Sequence, residues 1–296
     1  MSILILFLIG SFGGLLAGLL GVGGGLIFIP VIEHYLQPLH LESSENVKYI
    51  LANSIAIVFA SGISGIYRQI KMGTWQWKKS LLIGVPGALA SYTTTYWIEH
   101  GNWYQKTNFQ WVFLGFLMLS IANMLWGKND DKTAHSLSHE NPNLQYPFLA
   151  FIAIGLLAGI TVSLSGLGGG MIMVPLFRMV LKSPMKEATA LSLSIVPMLA
   201  AASLFSYVFS QPLQPLQGLF PELTKTITIT QITFPFPNQV GYLFLPMILP
   251  MIIATSITTS FAQKNAKYVP VVWLRIIFAL LSASIFFKTI CEIYNL

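Results

Sequence analysis

Six uninterrupted apolar runs punctuate the chain, at residues 49–67, 80–98, 109–126, 188–209, 241–261 and 271–287. Each is close to the ~20 residues an α-helix needs to cross a hydrocarbon layer about 30 Å thick. Two further apolar segments, 3–35 and 146–181, are too long for one span and too short for two. Each is cut by a glycine cluster, GVGGG at 21–25 and GLGGG at 166–170. Glycine costs about 1 kcal/mol relative to alanine in a helix interior, so such clusters break the helix. The pattern predicts an all-α polytopic membrane protein with six ordinary membrane helices and two broken ones.

The two broken segments are copies of one unit. Aligned without a gap, Gly10, Gly14, Gly21, Gly23, Gly24, Gly25 and Pro30 recur as Gly155, Gly159, Gly166, Gly168, Gly169, Gly170 and Pro175, with Ser163 standing where the first copy has Gly18. A second matched element follows, in which Ser54 corresponds to Ser192, and Asn53 to Leu191. The chain therefore divides into a first repeat at 1–127, a polar linker at 128–145 and a second repeat at 146–296, the second carrying an extended loop at 211–239. Alternation in TKTITITQIT within that loop predicts a short strand or hairpin.

Positive charge separates two topologies. If the broken segments cross the membrane, the sixteen Lys and Arg divide evenly between its sides. If each enters and returns as a re-entrant hairpin, only Lys48, Lys106, Lys225 and Lys288 remain on one side and twelve lie on the other. Cytoplasmic loops carry an excess of Lys and Arg, which favours hairpins. Each half is then a hairpin plus three transmembrane helices, an odd number of crossings, so the halves form two inverted-topology repeats. Both termini and the loop at 211–239 fall on the non-cytoplasmic side, with the linker inside.

Composition narrows the class further. Of the 296 residues, 54% are hydrophobic and 9% charged, with mean hydropathy +0.69. A soluble domain carries about 25% charged residues, so lipid is the solvent that suits this chain. The net charge of +6 forms no dense basic patch and gives no reason to invoke nucleic acid. Cys291 is the single cysteine, which leaves no intrachain disulfide and no cysteine metal site. Trp75, Trp77, Trp97, Trp103, Tyr104 and Trp126 gather at span ends, as an interfacial belt would.

The chemistry centres on the two tips. Gly23, Gly24 and Gly25, and likewise Gly168, Gly169 and Gly170, permit tight turning and close backbone approach. Each tip begins a second half-helix whose free N–H groups and positive dipole end favour an anion. Brought together, two such ends make a cationic spot without Lys or Arg; the alternative is that the glycines only allow close helix packing. Ser54, Ser192 and Ser165, beside the tips, are candidate hydroxyl ligands, unless they bond back to their own helices. Asn53 is a further candidate and would make the site asymmetric. Arg68 and Arg275 either gate a vestibule or extend to the membrane surface. All ten acidic residues lie in loops or near helix ends, so no carboxylate proton relay is visible. Neither glycine cluster is followed by Lys-Ser or Lys-Thr, and no nucleophile elbow is present. The reading is of a transporter, not an enzyme, with no cofactor and no bound metal.

The duplicated GxxxGxxGxGGG with its downstream proline, followed by the Ser element, resembles the sulfite exporter TauE/SafE family, most strongly at 14–30 and 159–175. The resemblance implies a multi-pass transporter in the cytoplasmic membrane for a small sulfur-containing anion such as sulfite, thiosulfate or an organosulfonate. Export by alternating access at a midplane site is the form it suggests. An anion channel and a non-transporting membrane scaffold stay open as alternatives, as does a homodimer.

Overall fold

The computed structural model describes residues 3–21, 23–126, 148–181, 183–216, 238–266 and 271–293. The strand expected within 211–239 and the linker at 128–145 fall largely or wholly outside them. Ten α-helices are described: α1 Ile3–Leu20, α2 Gly25–Leu36, α3 Ser43–Met72, α4 Trp77–His100, α5 Lys106–Trp126, α6 Phe148–Ser165, α7 Gly170–Met179, α8 Met185–Phe209, α9 Leu245–Asn265 and α10 Val271–Ile293. A two-stranded antiparallel hairpin, β1 Gln239–Val240 with β2 Leu243–Phe244, leads into α9. By length and composition α1, α3, α6, α8 and α9 can each cross a membrane.

Both apolar segments break where the glycines stand, and both fold back. In a straight helix Gly13 and Phe28 would lie about 22 Å apart. Here a Cβ at Gly13 would sit 2.3 Å from the Phe28 ring, and one at Gly24 would sit 2.7 Å from Gly13 O. The second copy repeats the turn, with a Cβ at Gly169 falling 2.8 Å from Val162 and 3.4 Å from Ala158 O. Each broken segment is therefore a helical hairpin.

Helix directions follow from the contact registers. Gly10, Gly14 and Gly18 of α1 meet Met251, Thr255 and Thr259 of α9, so these helices run parallel. Thr255 Oγ1 donates to Gly10 O at 2.9 Å, and Thr259 Oγ1 to Gly14 O at 3.1 Å. The second half uses the same device: Gly155 and Gly159 of α6 meet Ile83 and Gly87 of α4, and Ser163 Oγ donates to Ser91 O at 2.7 Å. Small residues at a helix interface let backbones approach and let hydroxyls bond across it. Between halves, Gly62 meets Pro197 and Gly65 meets Leu193, while Gln69 Nε2 donates to Ala190 O, so α3 and α8 are antiparallel. Asn53 binds Phe244 N just before α9, and Ser64 bonds Ser256 O, which sets α3 parallel to α9. Ser91 meets Ser203, and Glu99 meets Ser206 and Ser210, which sets α4 parallel to α8. The helices α1, α3 and α9 thus point one way, and α4, α6 and α8 the other. The matched helices α1 and α6 are inverted.

Apolar side chains face outward along the spans, among them Leu89 at 65% exposure and Phe261 at 62%. Trp75, Trp77, Trp97 and Trp103 are exposed, as a belt requires, whereas Tyr104 is buried. Its hydroxyl reaches inward to donate to Leu164 O at 2.6 Å, which removes it from the interface.

With Cys291→Ser as background, a cysteine at Gln37 and a tag on the N-terminus are expected to react with an impermeant reagent from the same side, and a cysteine at Thr74 from the other. Opposite-side labelling of Gln37 and the N-terminus would show that the first segment crosses.

Candidate functional site

The two glycine tips run past each other in the middle of the helix bundle. Gly21, Gly23 and Gly24 have φ of 72°, 81° and 76°; Gly166, Gly168 and Gly169 have 66°, 89° and 68°. Glycine alone adopts this left-handed backbone without a steric penalty from a Cβ, so both tips need the residue they have. A Cβ at Gly25 would lie 2.7 Å from Gly166 O, and one at Gly23 would lie 3.5 Å from Gly168 Cα. The segments cross at Gly23 and Gly168 in opposite directions. Immediately beyond the crossing, α2 begins at Gly25 and α7 at Gly170.

Serines from the partner half hold each tip. Ser54 Oγ donates to Gly166 O at 2.8 Å, and Ser192 Oγ donates to Gly21 O at 2.9 Å. Ser61 Oγ donates to Val58 O at 2.7 Å and lies 3.4 Å from Gly23 O. Ser165 Oγ donates to Thr161 O and accepts from Leu167 N at 3.2 Å. Each of these hydroxyl protons is therefore spent on a backbone carbonyl, and what remains to meet a ligand is hydroxyl lone pairs and tip amides. The structure brings Gly23, Gly24, Gly25, Gly168, Gly169, Gly170, Ser54, Ser192 and Ser165 to the crossing.

Asn53 sits one residue from Ser54 but serves another contact. Its Nδ2 donates to Tyr49 O at 2.8 Å and Tyr242 O at 3.0 Å, and its Oδ1 accepts from Phe244 N at 2.8 Å. All its amide atoms are engaged in pinning the β-hairpin at the start of α9. Arg68 lies near the far end of α3, half-buried, with Nε unpartnered. Arg275 lies in α10, and its side chain is outside the described residues.

Two polar groupings were not visible in the sequence reading. Glu45 and Lys48, in the first turns of α3, are buried and paired at 3.0 Å. Glu45 also accepts from Tyr242 Oη at 3.1 Å and from Leu213 N at 3.1 Å. Three donors and the positive end of α3 thus surround this carboxylate inside the protein. Burial and the neighbouring Glu45 push the Tyr242 hydroxyl well above its ordinary range, so it stays a donor. Beside this pair, Lys48, Glu99, His100, Ser206, Ser210 and Tyr242 help line a cleft of about 560 Å³. The second grouping is a knot of four hydroxyls, Ser91, Thr95, Ser163 and Ser203, all with 0% exposure. Its signal was present as the i, i+4 series Ser91, Thr95, Glu99 in an apolar helix, and as Ser163 in the place of a glycine.

Ser54→Ala is expected to destabilise the protein by about 1–3 kcal/mol, because Gly166 O is left buried without a partner. Asn53→Leu, which installs the residue of the second half, should cost about 2–4 kcal/mol through the three lost bonds to Tyr49 O, Tyr242 O and Phe244 N. Thermal denaturation in detergent measures both.

Comparison with known proteins agrees with the architecture. A probable membrane transporter protein of Haemophilus influenzae is 26% identical over 278 residues, covering 94% of each chain. Relatives with the same description occur in Methanocaldococcus jannaschii, 27% identical over 204 residues, 69% of this chain and 72% of the relative, and in Bacillus subtilis, 24% identical over 220 residues, 71% of this chain and 80% of the relative. No solved structure matches this chain significantly. Residues 6–289 match the family described as sulfite exporter TauE/SafE, and the chain belongs to that family of multi-pass membrane proteins.

Proposed function

We propose that this protein carries a small sulfur-containing anion, of the sulfite, thiosulfate or organosulfonate type, out of the cell across the cytoplasmic membrane. The observation that carries the reading is the antiparallel crossing of GVGGG and GLGGG, each opening a half-helix at the centre of the bundle. An N-terminal helix turn presents N–H groups with no intrahelical partner and a partial positive charge. Two of them facing one locus hold an oxyanion by hydrogen bonds alone. A site without a fixed cation also releases its ligand readily, which turnover requires.

Inverted halves support alternating access, because exchanging the conformations of the two halves exchanges the side to which the site opens. The tips are in backbone contact in this structure, which corresponds to a closed crossing. Among the described residues, Arg68, Lys71, Lys78, Lys79, Arg178, Lys186, Lys264 and Arg275 belong to the ends of α3, α7 and α9 and the starts of the helices that follow them, against Lys48, Lys106 and Lys288 at the opposite ends, which favours that side as the cytoplasmic one. An inside-negative potential then drives one negative charge outward by about 2.3 kcal/mol per 100 mV, and no proton relay is needed. The family description and the relatives' names support transport over catalysis.

In proteoliposomes, radiolabelled sulfite flux is expected to saturate with concentration and to fall at least tenfold in Gly25→Ala, whose Cβ would press on Gly166 O. Gly115→Ala, where nothing lies within 4 Å, should leave flux unchanged. Non-saturating flux would indicate a channel, and the absence of flux with a folded protein would indicate a scaffold.

A further inference from the structure

The cleft beside the Glu45–Lys48 pair shares no lining residue with the glycine crossing. Its volume of about 560 Å³ lies within the range of small-molecule sites. The last turns of α4 and α8 and the first turns of α3 enclose it. Its walls run from the exposed rings of Tyr96 and Phe209 to the buried side chains of Lys48 and Tyr242.

Two opposite charges face the cleft, and the protein alone satisfies neither. Lys48 is only 3% exposed, and one of its three N–H bonds reaches an acceptor, Glu45 Oε1 at 3.0 Å. Among the described residues no second acceptor meets it. Buried charged donors left without acceptors are costly, and an oxyanion in the cleft supplies the missing ones. Glu99 accepts from Ser206 and Ser210, which positions its carboxylate without matching its charge. Among the described residues no Lys, Arg or His stands within ion-pair distance of it. Two carboxylates, Glu45 and Glu99, against one ammonium leave the site one formal negative charge. A simple anion is therefore disfavoured even though Lys48 calls for an oxyanion.

We propose that this cleft binds a zwitterion, a molecule carrying an oxyanion and an ammonium group, with the oxyanion on Lys48 and the ammonium on Glu99. The remaining wall suits the ammonium. Tyr92 lies 6.4 Å from Phe205, and Phe205 lies 4.8 Å from Phe209, centroid to centroid, so a row of rings joins α4 to α8. Tyr96 extends the row at 6.5 Å from Tyr92. Ring faces attract cations, most strongly where water is thinned. Free amino acids and the phosphoethanolamine head of a phospholipid share this chemistry. Both have access, because Tyr92 and Tyr96 continue the exposed stripe of α4 that carries Val85 and Leu89.

The repeat does not duplicate the site. At the spacing that matches Ser54 with Ser192, Ser206 and Ser210 fall on Arg68 and Met72, neither of which can present a carboxylate as the serines do. One zwitterion per chain follows. Binding here does not rest on the transport reading above.

The experiment compares thermal stability in detergent with β-alanine, glycerophosphoethanolamine, glycerol 3-phosphate and ethanolamine at matched ionic strength. A second arm compares phosphatidylethanolamine with phosphatidylglycerol in mixed micelles. Wild type and Glu99→Gln, which keeps the shape of the side chain and removes its charge, are measured in both. At least one zwitterionic probe is expected to raise the wild-type Tm by about 3 °C or more. Glycerol 3-phosphate and ethanolamine, each carrying one of the two charges, should not, and Glu99→Gln should lose the rise. A rise with phosphatidylethanolamine alone supports the proposal with a lipid head as the ligand, and a rise with β-alanine supports it with a free zwitterion. No response to any zwitterion would overturn it, as would an equal rise with either single-charge probe or a rise retained in Glu99→Gln. The wild-type comparison decides the matter even where the variant fails to fold. None of the probes contains sulfur, so a failure here is separate from any failure of the sulfite response.

Discussion

Lipid offers no hydrogen-bond partner to an interrupted helix, and that constraint organises the rest of this protein. A broken segment at membrane depth survives only if other protein groups satisfy it. Here the two broken segments satisfy each other's surroundings. Ser54 caps the carbonyl of Gly166 and Ser192 that of Gly21, so each half supplies the hydroxyl that the other half's tip requires. Remove one half and the remaining hairpin is left with an unpaired carbonyl in the bundle interior. Duplication is therefore a structural necessity for this kind of tip.

Inversion follows from the same demand. Two identical hairpins pointing the same way would lie side by side, whereas hairpins pointing in opposite directions meet at their tips. The glycine stripes on α1 and α6 then let α9 and α4 come close enough for threonine and serine hydroxyls to bond across backbones. The outer faces are left apolar, with tryptophans at the ends, and the glycine tips with their serines are gathered inside.

Much of this was legible in the sequence, because it is written in residues with few alternative uses. The glycine clusters marked where the helices break, as the left-handed backbone at Gly23, Gly24, Gly168 and Gly169 shows. The serines at 54 and 192 were found by repetition. Their partners were not, because an interaction between residues over one hundred positions apart leaves no local signature. Asn53 read as a ligand, for an amide in a membrane helix needs a partner, yet the partner is the hairpin before α9. Glu45 and Lys48 read as a helix end near the surface, and the turn of chain that buries them comes from residues 213 and 242. Tyr104 shows the same limit, since an aromatic beside tryptophan matches an interfacial belt whichever way its hydroxyl points.

The two halves are alike in plan and unlike in detail. Ser163 in place of a glycine, and a buried ion pair at only one end of α3, give the pseudosymmetric frame one polar side. The central claim concerns the frame itself: that two neutral helix starts at a glycine crossing select an oxyanion. The most direct measurement is the Tm of the purified protein with sulfite, sulfate, thiosulfate, a sulfonate and chloride as their potassium salts at matched ionic strength. The account predicts that a sulfur oxyanion raises Tm selectively, by about 2.7 kcal/mol of stabilisation at a hundredfold excess over its Kd, and that Gly25→Ala abolishes the rise. The same Tm in every anion, or a rise that persists unchanged in Gly25→Ala, would contradict it.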